Sequence, residues 1–244
     1  MWSRLFGRQN FGQPIGHLLG ADMHAHLLPG VDDGPQSIHE ALDMLRKLAT
    51  FGYSVAVATP HTFHPLWPDN QKAIDEASKT IQDIIRDAGL PLEFRVGAEY
   101  FCGEAFGQAI DSGDLLTLDG TRVLFETAPE RPYPAMHQFI FDMRRLGFIP
   151  VLAHPERYLW LQQNLAMVSQ LRDWGCEFQI TLGSASGRYG PKAAQLARYL
   201  IQKGLVDFAG TDLHRARQIP QLHRWLTDRW SKKLLQNPLK NNLL

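Results

Sequence analysis

Two histidines stand two residues apart in Asp22-Met23-His24-Ala25-His26. On an extended backbone such residues project to the same side, so both imidazoles can reach one metal ion. Asp32-Asp33-Gly34 follows in a glycine-bounded loop. Further along come Thr59-Pro60-His61, Gly97-Ala98-Glu99, Phe125-Glu126, Ala153-His154-Pro155-Glu156-Arg157 and Gly210-Thr211-Asp212-Leu213-His214, each closing a short apolar run. Mixed imidazole and carboxylate ligands suit Mn²⁺, Fe²⁺ or Zn²⁺, and the lack of cysteine among them argues against a structural zinc site. Clustered divalent ions lower the pKa of a bound water and hold phosphoryl oxygens, which makes a hydroxide nucleophile available near neutral pH. A single HxH is a weak signal, and one His or Glu after a strand is ordinarily a cap or a solvated side chain. Repetition at strand after strand carries the reading, because buried without metal these ionisable groups would need extensive pairing.

Such groups need a scaffold that gathers strand ends. Apolar, β-rich runs are expected as strands at residues 18–23, 54–58, 93–98, 122–125, 149–153, 177–181 and 206–210. Being apolar on both faces, they suit a covered parallel sheet. Between them lie helical patterns. Ser37-Ile38-His39-Glu40 has the form of a capping box. Ile38, Ala41, Leu42, Leu45 and Leu48 then form one apolar face that Gly52 closes. Ile74, Ala77, Ile81, Ile84 and Ile85 form another, closed by Gly89. Further helices are expected at 135–146, 165–174, 192–203 and 219–233, with a short one at 103–112. Seven β–α units without a long Pro/Ser-rich linker predict one α/β domain over 18–244, preceded by an extension over 1–17 in which Trp2, Leu5 and Phe6 pack against it. A closed parallel barrel brings every strand's carboxyl end to one mouth, whereas an open sheet gathers only those near a switch point. Candidate ligands at six strand ends therefore favour the barrel.

Composition sets the outer bounds. The chain has 244 residues, 44% hydrophobic and 20% charged, an ordinary globular balance. Lys+Arg and Asp+Glu are 25 each, so no overall basic charge points to nucleic acid. Two cysteines make no disulfide scaffold, and no apolar run is long enough to span a membrane or to read as a signal peptide. The cytoplasm is the expected compartment.

The run DMHAHLLPGVDDGP, followed in order by TPH, GAEY, FET, VLAHPERY and GTDLH, resembles the polymerase and histidinol phosphatase (PHP) family. It is most similar to the manganese-dependent protein-tyrosine-phosphatase branch found with bacterial capsular and exopolysaccharide genes. The resemblance runs from about Leu18 to the C-terminus. It implies a distorted seven-stranded (β/α)7 barrel of TIM-like form and a site for three Mn²⁺ ions. It implies His24, His26 and Asp212 as ligands of the first metal and Glu99 as the bridge to the second. Glu126 and His154 complete the second, while Asp33, His61 and His214 hold the third. Asp33, the second of the Asp pair, is the matching ligand, and Asp32 is expected to support the loop.

The resemblance also makes Arg157 a phosphate ligand, where its sequence neighbourhood alone favours a salt bridge with Glu156. A guanidinium fork suits two phosphate oxygens. A second such arginine is expected after the DxH segment; Arg215 and Arg217 compete, and Arg217 is taken. The implied activity is a metal-dependent phosphomonoesterase acting on protein phosphotyrosine, with an autophosphorylated bacterial tyrosine kinase as partner. Alternatives are a small-molecule phosphatase such as a histidinol-phosphate phosphatase, a nuclease, and a metal-stabilised binding module without turnover.

Cysteine phosphatases place Arg six residues after the nucleophile; here Gln108 follows Cys102 and Leu182 follows Cys176 at that spacing, which excludes that chemistry. Phe63, Trp67, Tyr100, Phe101, Tyr133, Tyr158 and Trp160 crowd the expected mouth, where an aromatic can stack on a phenyl ring. The sixth strand ends in Ile180-Thr181-Leu182-Gly183-Ser184, where relatives often carry Asn, and receives no role. The general acid stays open between His61, His214 and a metal-bound water.

Overall fold

The computed structural model describes residues 14–244. Trp2, Leu5 and Phe6 lie outside the described residues. Strands β1 (Ala21–Ala25), β2 (Val55–Ala58) and β4 (Glu93–Val96) make a three-stranded sheet in the order β1-β2-β4. Strands β3 (His61–Thr62), β5 (Glu99–Phe101), β6 (Arg122–Glu126), β7 (Ile149–Ala153), β8 (Glu177–Thr181) and β9 (Phe208–Gly210) make a six-stranded sheet in that order. Every pairing between these strands is parallel. All five residues of β1 and all five of β8 are buried, as two-sided cover demands.

Two expected strands, 54–58 and 93–98, are each followed by a further short strand beyond those expected. Pro60, which lacks an N–H, separates β2 from β3, and Gly97-Ala98 separates β4 from β5. Backbone hydrogen bonds cross both breaks, from Gly97 N to Ala58 O (2.8 Å) and from Glu99 N to Pro60 O (3.0 Å). The chain leaving β9 also meets β1: Asp212 N donates to His24 O (2.8 Å) and His26 N to Leu213 O (2.9 Å). The first strand starts later than expected. Gly16–Leu19 is a single helical turn, α1, stopped at Gly20, whose φ of 75° favours glycine.

Helix α2 (Ile38–Thr50) begins as its sequence predicts, with Ser37 Oγ accepting from Glu40 N at 3.2 Å. The Glu40 carboxylate reaches back to Gln36 N instead of Ser37 N. Helices α3 (Gln71–Asp87), α4 (Glu104–Ser112), α5 (Met136–Arg145), α6 (Leu159–Gln163), α7 (Ala166–Asp173) and α8 (Gly190–Gln202) follow. The helix expected over 219–233 is two, α9 (Ile219–Thr227) and α10 (Arg229–Leu234). Asp228 divides them, its carboxylate accepting from Trp230 N and Ser231 N as the cap of α10.

The core has two parts. The larger joins strand residues such as Phe125, Leu152 and Phe178 to helix residues such as Leu45, Ile81 and Leu200. The smaller joins Met23, Val57, Leu124, Val151, Ala153 and Phe208, and Leu244 adds to it. Met23 and Ala153 each immediately precede a histidine of the site in the chain. Asn241 closes the other end: its amide donates to Ala21 O and Ala209 O and accepts from Ala209 N. Among the described residues no helix is long and apolar enough to cross a membrane.

Candidate metal centre

The carboxyl ends of the strands converge. His24 lies on β1 and His26 just beyond it; His61 opens β3, Glu99 opens β5 and Glu126 closes β6. His154 follows β7, Asp212 and His214 follow β9, and Asp33 comes from the loop before α2. All nine residues fall into overlapping groups whose ligand atoms lie within 4.8 Å of one another: His26, Asp33, His61 and His214; His24, Glu99 and His154; His24, His26 and Asp212; His61, Glu99 and Glu126.

Glu99 is central. Its Oε2 lies 3.3 Å from His24 Nε2, 3.4 Å from His26 Nε2 and 3.2 Å from His61 Nδ1, and its Oε1 lies 2.7 Å from His154 Nε2. Asp212 Oδ1 stands 3.7 Å from His24 Nε2 and 3.5 Å from His214 Nδ1. Asp33 Oδ1 is 3.7 Å from His61 Nε2 and 3.5 Å from His214 Nε2. The two nitrogens of His61 thus face different carboxylates, with Nδ1 2.9 Å from Glu126 Oε1 and Nε2 toward Asp33.

Several of these buried atoms have no hydrogen bond: His24 Nε2, His26 Nε2, His61 Nδ1, Glu99 Oε2 and Glu126 Oε1. Buried polar atoms are normally satisfied, and here the unsatisfied ones face one another. Their donor types, imidazole nitrogen and carboxylate oxygen, fit divalent ions of the Mn²⁺, Fe²⁺ or Zn²⁺ kind. Electrostatics agree. Burial alone would lower the His24 imidazole, but the Glu99 and Asp212 carboxylates hold it up at about 9. Burial likewise opposes the charge on Glu99, yet His24, His61 and His154 keep its carboxyl well below the usual range. The pocket therefore attracts positive charge. His214 is the exception: burial and the neighbouring His26 push it down to about 4. Its ring stacks on His26 with centroids 3.8 Å apart.

A second layer fixes the rings. His26 Nδ1 bonds to Asp32 Oδ2 at 2.6 Å, and the same carboxylate accepts from His61 N and Gly34 N. Asp32 thus does more than support its loop. Gln179 Oε1 bonds to His24 Nδ1 (3.0 Å) and accepts from His154 N (3.1 Å). A Cβ on Gly210 would come within 2.6 Å of the His24 Cβ, so only glycine lets β9 pass so close. His154 and Asp212 are held at φ 34° and 50°, a left-handed backbone uncommon outside glycine.

Arg157 sits on the turn Pro155–Arg157 after β7. Its Nη1 donates to Asp212 Oδ2 at 3.1 Å, and its side chain keeps 35% exposure. The salt bridge to Glu156 is absent: Glu156 is fully buried and its Oε1 accepts from Thr181 N and Ser184 Oγ. Arg217 is not brought to the cluster. It is exposed on the turn Ala216–Gln218, and Arg215 is turned aside to Glu40 at 3.7 Å. The second arginine at the β9 exit, besides Arg157, is Arg188, which donates to Thr211 O and Asp212 O. Beside it, Tyr189 OH donates to Asp212 Oδ2 at 2.9 Å. Sequence reasoning missed Gln179, Arg188 and Tyr189. The only signal for the last two is the Gly187-Arg188-Tyr189-Gly190-Pro191 turn.

Of the aromatic residues, Tyr100 and Tyr158 are buried in the core, and Phe63 and Trp160 stack on them. Tyr133 packs on Phe139. Trp67 differs: it stacks at 5.3 Å and 5° on His61 and also meets His64. Cys102 and Cys176 are free and buried, and burial pushes both thiols up, away from the thiolate a nucleophile needs.

Parallel sheets covered by helices, with an imidazole and carboxylate cluster at the strand carboxyl ends, define an α/β protein with a site of metal-ligating type. The chain matches the model of the capsular polysaccharide synthesis family CpsB/CapC over residues 20–241, and it belongs to that family. It is 28% identical over 197 residues to the tyrosine-protein phosphatase YwqE of Bacillus subtilis, covering 80% of this chain and 78% of the relative. It is 29% identical over 219 residues to the tyrosine-protein phosphatase CpsB of Streptococcus pneumoniae, covering 87% and 90%. Its fold is similar to a crystal structure from work on those two proteins, described as unique metal-dependent tyrosine phosphatases, with a TM-score of 0.77, 26% identity, and 89% and 92% of the chains covered.

Proposed function

We propose that this chain is a metal-dependent phosphomonoesterase that removes phosphate from protein phosphotyrosine in capsular polysaccharide synthesis. The observation that carries the reading is the convergence of unsatisfied ligand atoms on Glu99 in a member of a family whose relatives are named tyrosine-protein phosphatases.

In this reading residues 18–244 are one catalytic domain, a distorted seven-stranded barrel. The backbone bonds across Pro60 and Gly97, and those from the β9 exit to β1, support closure. His24, His26 and Asp212 would hold one ion, Glu99 would bridge to a second held by Glu126 and His154, and Asp33, His61 and His214 would hold a third. Mn²⁺ is the expected ion. Divalent ions there supply Lewis acidity and a nucleophilic hydroxide near neutral pH. The chain does the rest. Arg157 offers its remaining N–H groups to two phosphoryl oxygens, with Asp212 fixing its direction. Asp32 and Gln179 orient the His26 and His24 rings. Trp67 presents an aromatic face beside His61 to the phenyl ring of the substrate. The partner is an autophosphorylated bacterial tyrosine kinase, and two free thiols suit a reducing compartment, the cytoplasm.

A panel on the purified protein tests this: phosphotyrosine peptide, matched phosphoserine peptide and histidinol phosphate, each with Mn²⁺ and with chelator. The expected result is Mn²⁺-dependent turnover with the highest kcat/KM on phosphotyrosine. Faster hydrolysis of histidinol phosphate overturns the substrate assignment, and full activity in metal-free protein overturns the mechanism.

A further inference from the structure

Asp212 divides its two oxygens between different tasks. Oδ1 faces the imidazoles of His24, His26 and His214 at 3.7, 3.9 and 3.5 Å. Oδ2 receives Arg157 Nη1 at 3.1 Å and Tyr189 OH at 2.9 Å. Tyr189 also lies against the arginine itself: the Arg157 guanidinium carbon stands 4.8 Å from the centre of the Tyr189 ring. So one side chain holds both partners of the Arg157–Asp212 pair, the guanidinium by its π face and the carboxylate by its hydroxyl.

The local chain explains how Tyr189 gets there. Gly187 and Gly190 have φ of 102° and 86°, and Pro191 sits in the first turn of α8. Two left-handed residues around Arg188-Tyr189 fold the chain back, and the helix then starts sharply. Arg188 anchors the turn through Thr211 O and Asp212 O, and its guanidinium carbon stacks 4.0 Å above Trp225. The backbone of Asp212, at φ 50°, is thus pinned by Arg188 while its side chain is pinned by Tyr189.

The geometry points to Tyr189 as a positioning residue for phosphate binding: it sets the direction of the Arg157 guanidinium through the ring contact and through the shared Asp212 oxygen. This rests on the phosphatase reading, in which Arg157 binds the phosphoryl group. An arginine side chain has several rotatable bonds, and fixing them beforehand removes an ordering cost at the moment of binding. Tyr189 does not touch the ester and takes no proton.

The test is a double-mutant cycle on Mn²⁺-loaded full chain, with inorganic phosphate as probe, measured by calorimetry beside KM and kcat on a phosphotyrosine peptide. Tyr189→Leu should weaken phosphate binding and raise KM about tenfold, the loss of a desolvated cation–π contact and a hydrogen bond to a charged group. Tyr189→Phe keeps the ring and should retain most of the affinity. In the Arg157→Ala background, Tyr189→Leu should change phosphate binding less than about twofold, because the group it orients is gone. Bound Mn²⁺ and Tm of each variant are measured in parallel. Wild-type phosphate affinity in Tyr189→Leu, or an equal loss with and without Arg157, overturns the proposal. If Tyr189→Leu does not fold, Tyr189→Met crossed with Arg157→Ala carries the same test, because it too removes both the ring face on Arg157 and the hydroxyl on Asp212. Wild-type protein that binds phosphate with this coupling but hydrolyses no phosphoester supports the positioning role and overturns the phosphatase reading instead.

Discussion

Arg157 Nη1 bonds to Asp212 Oδ2 over 3.1 Å, joining residues 55 apart in the chain at one edge of the histidine cluster. The carboxylate is buried and the guanidinium is partly open. The pair therefore ties the proposed phosphate-binding arginine to a candidate metal ligand. Arg157→Ala should lower kcat/KM on a phosphotyrosine peptide by roughly 10²–10³, about 3–4 kcal/mol of transition-state stabilisation. Arg157→Lys should rescue poorly, since an ammonium lacks the fork. Metal content should stay at the wild-type level because Asp212 keeps Tyr189. Wild-type turnover at matched metal content would falsify the clamp role.

The pocket concentrates the carboxylates of Asp33, Glu99, Glu126 and Asp212 among imidazoles. Ions that bind the folded chain alone stabilise it by mass action. At about 100 times the dissociation constant this is about 2.7 kcal/mol per site. Calorimetric scanning should show Mn²⁺ raising Tm by roughly 5–10 °C for each site filled and chelator reversing it. An unchanged Tm across a Mn²⁺ titration would count against a built metal centre.

Asp32 is buried and accepts from His26 Nδ1, which directs His26 Nε2 at Glu99. Replacing it with Asn keeps the shape and weakens the acceptor. Loss of such an orienting carboxylate typically costs about 10–100-fold in metal affinity. Asp32→Asn should show that loss in competition against a metal-sensitive dye. Unaltered affinity would reduce Asp32 to a loop residue.

Both thiols are buried, and burial holds them in the neutral form. Iodoacetamide should leave Mn²⁺-dependent activity intact, with mass spectrometry showing slow labelling in the native state. Stoichiometric inactivation of folded protein by labelling at Cys102 or Cys176 would restore a cysteine mechanism.

Local sequence carries its information through residue type and short-range geometry. Ser37 and Glu40 mark the start of α2 because a cap is a contact across three residues. The runs ending at His24, Glu126 and His154 read as buried strands because they are apolar on both faces. The ordered donors at their ends, from His24 to His214, mark a set of metal-ligating type, because imidazole and carboxylate types are fixed by the chain, and the fold brings them together. Interruptions are less legible. Beyond Pro60 and Gly97 two short strands, β3 and β5, continue the pairing where the sequence predicts none, and the Asp228 cap divides a continuous amphipathic pattern.

Only the tertiary structure decided which arginine faces the cluster, and the reason is distance along the chain. Arg217 is close to His214 in sequence but points to solvent, while Arg157 and Arg188 reach Asp212 from β7 and from the turn before α8. The same holds for Gln179, which contacts His24 across 155 residues, and for Tyr189, whose hydroxyl finds Asp212 across 23. A sequence lists which groups can bind, but orientation comes from the elements packed behind them. In this chain the candidate ligands belong to the former, and the residues that aim them belong to the latter.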